Sequence, residues 1–195
     1  MLTTLVIITI ALFLLAGVLW FGWRRTDYSH IRHTISELGE YGVPDGRLVS
    51  FGLFGPVGLA LLGVGVPALL SEQAAAFPAG FGLLAVTLGV GYLGGAVFPC
   101  DPGSPLAGSA RQQLHNLAGG VQYVGGAVAL FLAADRPTSV PPFLVPWLLG
   151  SAGVVALVAL ALSIQALFPV RGLIQRVGEL LLFGNLLLLA WPRHL

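Results

Sequence analysis

Six long apolar stretches, separated by short polar loops, occupy most of this 195-residue chain. A helix needs about 20 apolar residues to cross the hydrocarbon core of a bilayer. The stretches fall at about 2–23, 48–70, 74–98, 114–134, 143–168 and 177–191. None alternates apolar and polar positions as a membrane barrel strand must. They are apolar all round, as lipid-embedded or bundle-buried helices are. The expected fold is therefore all-α: residues 1–195 as a single integral membrane domain of six transmembrane helices in a compact bundle. The first stretch has no positive residue before it and is longer than a signal-peptide core, so it reads as a retained helix.

The interruptions have ordinary causes. Pro99 and Pro169 follow apolar stretches, where proline stops a helix. Pro137, Pro141 and Pro142 mark the loop after the fourth stretch, and Pro56 and Pro67 should kink or shorten the second. Small residues at close-packing spacing, such as Gly91 and Gly95 or Ala152 and Ala156, suit close helix approach.

Charge is scarce, at 9% of residues, and all nine basic residues are arginine against eight acids. That balance leaves no basic footprint for nucleic acid. A single cysteine excludes an internal disulfide and any multi-cysteine metal site. With six spans, the loops after helices one, three and five share one membrane face. That face carries Arg24, Arg25, Arg32, Arg47, Arg111, Arg171 and Arg176, while only Arg136 and Arg193 lie opposite. The positive-inside rule makes loops 24–47, 99–113 and 169–176 cytoplasmic and puts both termini outside.

The unusual polar residues gather on the same face. In the first loop Tyr28, Ile31, Ile35 and Leu38 recur at helical spacing, which predicts a short interfacial amphipathic helix capped by Thr26 or Asp27. His30, His33, Glu37 and Glu40 form a second stripe. Imidazoles and a carboxylate on one helical face suit a divalent transition metal, and a solvated polar face is the alternative. In the next cap loop Asp101 lies between Pro99 and Pro102, and Arg111 and His115 share a face as the fourth helix begins. His115 sits at the membrane boundary, where an ionisable group needs a partner; Asp101, Glu37 and Ser36 are the candidates. Glu179 falls about one turn into the sixth helix, where a salt bridge to an arginine of another hairpin is expected, with Arg176 reaching out to the interface. Two segments, Ile35–Glu40 and Ile174–Glu179, share the pattern apolar-x-x-apolar-Gly-Glu, a candidate internal repeat.

Ile35-Ser36-Glu37-Leu38-Gly39, Phe98-Pro99-Cys100-Asp101 and Leu114-His115, together with helix count and length, resemble the six-helix prokaryotic membrane family catalogued as domain of unknown function 998. That resemblance implies an architecture and no reaction. A more distant likeness is to the membrane hydrolase superfamily of alkaline ceramidases and adiponectin receptors. It would imply a zinc site with Ser36, Asp101 and His115 in it. The last helix lacks that superfamily's histidine pair, and His194 lies on the opposite face, so His30 or His33 would have to serve.

Three functions follow. The first is binding of a membrane lipid or other anionic ligand at the polar cap by Arg24, Arg25, Arg111 and Arg171, with Glu179 beside them. The second is a metal-dependent membrane hydrolase. Ser36, Glu37, Asp101 and His115 would be its catalytic residues, and His30, His33 and His115 the ligands of a divalent metal such as zinc. The third is a small transporter or complex subunit, for which the helices offer mainly Gln122, Gln165 and Asn185 as polar intramembrane groups. Membrane lipid is the expected partner, and a second copy of the chain a further one.

Overall fold

The computed structural model of the protein describes residues 1–70, 77, 78, 80–135 and 140–191. Six long helices run up and down: α1 (Leu2–Arg24), α2 (Gly46–Leu70), α3 (Phe81–Val97), α4 (Ala110–Asp135), α5 (Val145–Leu162) and α6 (Arg171–Ala190). With the short turns that lead into the last two, five are long and apolar enough to cross a membrane, and α3 is apolar but shorter. The chain is a multi-pass integral membrane protein.

Neighbouring helices in sequence pack side by side from α2 to α6, and α6 also touches α1, α3 and α4. The last helix is therefore central. Leu182, Leu186 and Leu189 on it are fully buried, together with Leu84 and Leu88 of α3 and Leu130 of α4. Glycines set the closest approaches. A Cβ on Gly58 or Gly65 of α2 would press on the α3 backbone, and one on Gly89 would press back on α2. Without those methyl groups the two backbones approach directly, and dispersion contacts replace the hydrophobic drive that lipid does not provide.

The spans sit where hydropathy puts them, but their cap-face ends do not. The α4 helix starts at Ala110 rather than Leu114, and α6 at Arg171 rather than Val177. Their first turns are polar, and Gln112 and Arg171 in them are buried, which a hydropathy count does not register. The fifth span ends its α-helix at Leu162; Ile164 is extended and Gln165–Val170 form a tighter 3-10 turn containing Pro169. In α2 the chain widens into a π-helical turn over Ser50–Phe54. Pro56 follows and cannot donate an N–H to that turn, a common cause of such a bulge. Residues 71–76 and 79, which include the start of the third expected span, lie outside the described residues, as do Pro137, Arg136, Arg193 and His194.

The first loop is not an amphipathic α-helix. It is a series of turns ending in one 3-10 helix, Ser36–Gly39. Leu38 and Ile35 of the expected stripe are buried, but Ile31 is exposed. The physical reason is a reciprocal cap. Thr34 N and Oγ1 both donate to Glu37 Oε2, and Glu37 N reaches back to Thr34 Oγ1. Such a capping box starts a new helical turn at residue 34 and ends whatever precedes it. The candidate repeat fails for the same reason, since Ile35–Glu40 is this turn while Ile174–Glu179 is continuous α-helix.

Candidate functional site: the polar cap and its cavity

The three cap loops converge. Tyr41 N donates to the Cys100 carbonyl, Gly103 N donates to Glu40 Oε2 at 2.9 Å, and Leu173 N donates to the Ile31 carbonyl. Two arginines of α6 hold the assembly. Arg171 donates to Glu37 Oε1 at 2.8 Å and to the carbonyls of Gly103 and Ser104, and its guanidinium lies over the Phe168 ring. Arg176 donates to the carbonyls of His30, His33 and Gly172, to the Tyr28 hydroxyl, and to His30 Nδ1 at 2.8 Å. It does not reach out to the interface as expected, because the loop carbonyls offer it a denser set of acceptors. Gly172 makes this docking feasible, since a Cβ there would strike the His33 carbonyl.

The other cap arginines are also committed. Arg24 pairs with Asp45 at 2.9 Å, and Arg25 with Asp27 at 3.0 Å and with the Glu37 carbonyl. Arg111 pairs with Asp101 and lies over the Tyr41 ring at 4.0 Å. Asp101 accepts from the Ser109 N–H and hydroxyl as well, and these donors with Arg111 hold its carboxyl below the usual carboxylate range. Glu37 thus ties the first loop to α6, and Asp101 ties its own loop to the start of α4.

Of the residues expected to carry chemistry, Ser36, His115 and Arg171 line a cavity of about 420 Å³. Its lining adds polar Gln113, Asn116 and Gln175 and, with them, Leu106, Gly119, Gly120, Ala159 and Leu162. Nothing lies within 4 Å of a Cβ built on Gly119 or Gly120, so these glycines hold the space open. His115 Nδ1 lies 2.8 Å from the Phe98 carbonyl. A carbonyl only accepts, so Nδ1 carries the proton, and Nε2 is the nitrogen with a lone pair to offer when the ring is neutral.

The three candidate metal histidines take different partners. His30 Nδ1 accepts from Arg176, His33 Nδ1 accepts from Ser29 N, and His115 faces the cavity. Among the described residues no three His, Cys, Asp or Glu side chains gather as a metal-binding group. Burial and the Arg176 guanidinium hold the His30 imidazole below its ordinary range. Such a group contributes stability above its unfolded pKa and loses it as pH falls through the lower folded value. Acidification through the imidazole range is therefore expected to loosen the first loop, read as faster amide exchange over residues 28–35. His30→Asn, which keeps an acceptor oxygen, should remove that pH dependence.

Cys100 is fully buried, its thiol pushed up to about 12 by burial and by the nearby Glu40 and Glu37 carboxylates. Only the thiolate attacks maleimide. Native protein is expected to label slowly at Cys100 and denatured protein readily; equal rates would contradict the buried position.

Glu179 is the departure from expectation. Among the described residues no arginine pairs with it. Tyr123 and Gln122 of α4 both donate to Oε1 at 2.6 Å, and Tyr92 of α3 donates to Oε2 at 2.8 Å. Two glycines make room for these donors. A Cβ on Gly91 would collide with Gln122 Oε1, and one on Gly178 would lie 2.8 Å from the Tyr123 ring. Gly91→Ala is therefore expected to destabilise the bundle by about 1–3 kcal/mol, the usual cost of overpacking, in a reversible unfolding titration. The tyrosines and Gln122 were not singled out as a group by sequence, although two phenols and an amide in otherwise apolar helices were a usable signal.

A family model described as "Protein of unknown function (DUF998)" matches residues 7–192. No curated protein and no solved structure matches the chain.

Proposed function

Because the chain belongs to the family described as protein of unknown function (DUF998), its activity has to be argued from the cap, and we propose that this membrane protein binds the polar head group of a membrane lipid or a related anionic amphiphile in the cap cavity. The observation that carries the reading is the mixed lining of that cavity. It combines Arg171, His115, Ser36, Gln113 and Gln175 with Leu106, Ala159, Leu162 and two glycines. Pockets that combine an apolar wall with a few convergent polar groups are those that orient small amphiphilic ligands. Of the four arginines Arg171 is the one in this lining, where it also holds Glu37; Arg24, Arg25 and Arg111 pair with Asp45, Asp27 and Asp101 and do not line it.

The test is lipid retention. Protein extracted in mild detergent is expected to carry phospholipid through native mass spectrometry. Gly120→Leu, whose Cβ meets no protein atom within 4 Å, puts a bulky side chain into the cavity and should reduce retention at least tenfold, about 1.4 kcal/mol of binding. Equal retention in both proteins would remove the proposal. The arginine excess supports a cytoplasmic cap with both termini outside. Arg32 is exposed, so Arg32→Cys in a Cys100→Ala background reports the side. Labelling by an impermeant maleimide only after permeabilisation is expected; labelling of intact cells would reverse the orientation.

A further inference from the structure

We infer that Glu179 is a proton-binding site inside the membrane, loaded from the cap cavity through a small chamber walled by Ser36, Gln175 and Gln122. Arg171 opens α6, and Glu179 is two helical turns further on, about 12 Å into the span at 1.5 Å per residue. The carboxyl group is buried and its hydrogen-bonding partners are all neutral. An ionisable group at such a depth is expensive and is normally paired with a cation or used. Here the cations of α6 are spent elsewhere: Arg171 on Glu37, Arg176 on the first loop.

The groups facing Glu179 come from every element packed around it. Tyr92 faces it from α3, and Gln122 and Tyr123 from α4. Phe54 of α2 and Ile35 and Ser36 of the first loop complete the chamber, and none carries charge. The site therefore changes its own charge with nothing beside it to compensate, which makes a proton the ligand its chemistry fits. An anion accepts from all three donors. A protonated carboxyl can instead donate from one oxygen to a tyrosine oxygen, and the phenol then turns its own proton elsewhere.

The chamber beside Glu179 has a volume of about 30 Å³. That is room for one water, and Ser36, Gln175, Gln122 and Glu179 supply the polar partners a water needs. Ser36 and Gln175 also line the large cavity, and Tyr123 has its ring on that cavity and its hydroxyl on Glu179. A proton passes from water in the cavity to a carboxylate oxygen of Glu179 and returns the same way. No other bond is made or broken.

Infrared difference spectroscopy on the full chain in lipid nanodiscs, with pH as the variable, tests this. A protonated-carboxyl C=O band that titrates reversibly, shifts in D₂O and is lost in Glu179→Gln is expected. Tyr123→Phe should displace the midpoint of that band, whereas Tyr41→Phe at the cap surface should leave it in place. If Glu179→Gln does not fold, the two phenylalanine variants decide alone. Gly120→Leu is expected to slow deuterium exchange of the band severalfold, whether or not the cavity retains lipid. A wild-type spectrum without a titrating carboxyl band, or one unchanged in Tyr123→Phe, would overturn the site. Unchanged exchange in Gly120→Leu would overturn the route.

Discussion

Arg171→Ala is expected to cost the folded protein about 3–5 kcal/mol, the range seen when one member of a buried ion pair is removed. The Arg171 and Glu37 side chains are 9% and 3% exposed, and among the described residues no other cation lies within salt-bridge distance of the Glu37 carboxylate. Without the guanidinium, Glu37 keeps only the Thr34 N–H and hydroxyl, and the carbonyls of Gly103 and Ser104 lose their donor. Paired replacement by Arg171→Met with Glu37→Gln should be milder than either single loss, because it leaves no unpaired charge behind. Unfolding titrations in mixed micelles would measure both. A single-mutant loss below about 1 kcal/mol, typical of exposed pairs, would mean that the cap is solvated rather than sealed.

Glu179→Leu is the second large effect. It strands two phenol hydroxyls and an amide in an apolar bundle, and each orphaned donor costs about 1–3 kcal/mol. A total of about 3 kcal/mol or more is expected. Adding Tyr92→Phe and Tyr123→Phe to Glu179→Leu should recover part of it, because the donors disappear with the acceptor. A double-mutant cycle gives the coupling directly. Strict additivity of the Glu179 and Tyr123 substitutions would show that their short hydrogen bond contributes nothing.

Much of the architecture was legible because hydropathy is a strong signal in a bilayer solvent. The span centres follow from it, and the side of each loop follows from the count of spans. The ends of α4 and α6 were not legible, since Arg111, Gln112, Arg171 and Gln175 read as loop until their burial is known. In the first loop, apolar spacing alone predicts a helix that the structure does not have. The Thr34-Ile35-Ser36-Glu37 pattern stood in the sequence as a capping signal, and it is the feature that decides that loop. Convergence of the cap loops was anticipated, but the pairing within it was not. Glu179 finds Tyr92 and Tyr123, 87 and 56 positions away, and no local pattern says which distant helix will face it.

The central position of the last helix has a consequence for how the protein is made. Chains leave the ribosome from the N-terminus, so the first loop emerges long before its partners exist: Ile35 waits 140 residues for Gln175, and His30 waits 146 for Arg176. Until α6 arrives, the His30 and His33 carbonyls and the Glu37 carboxylate have water as their remaining partner, which is available at the bilayer surface and not inside it. The contacts between the first loop and the Cys100–Gly103 segment need no residue of α6, but those of Arg171 and Arg176 do. A chain truncated before Arg171 is therefore expected to insert with a cap only partly closed.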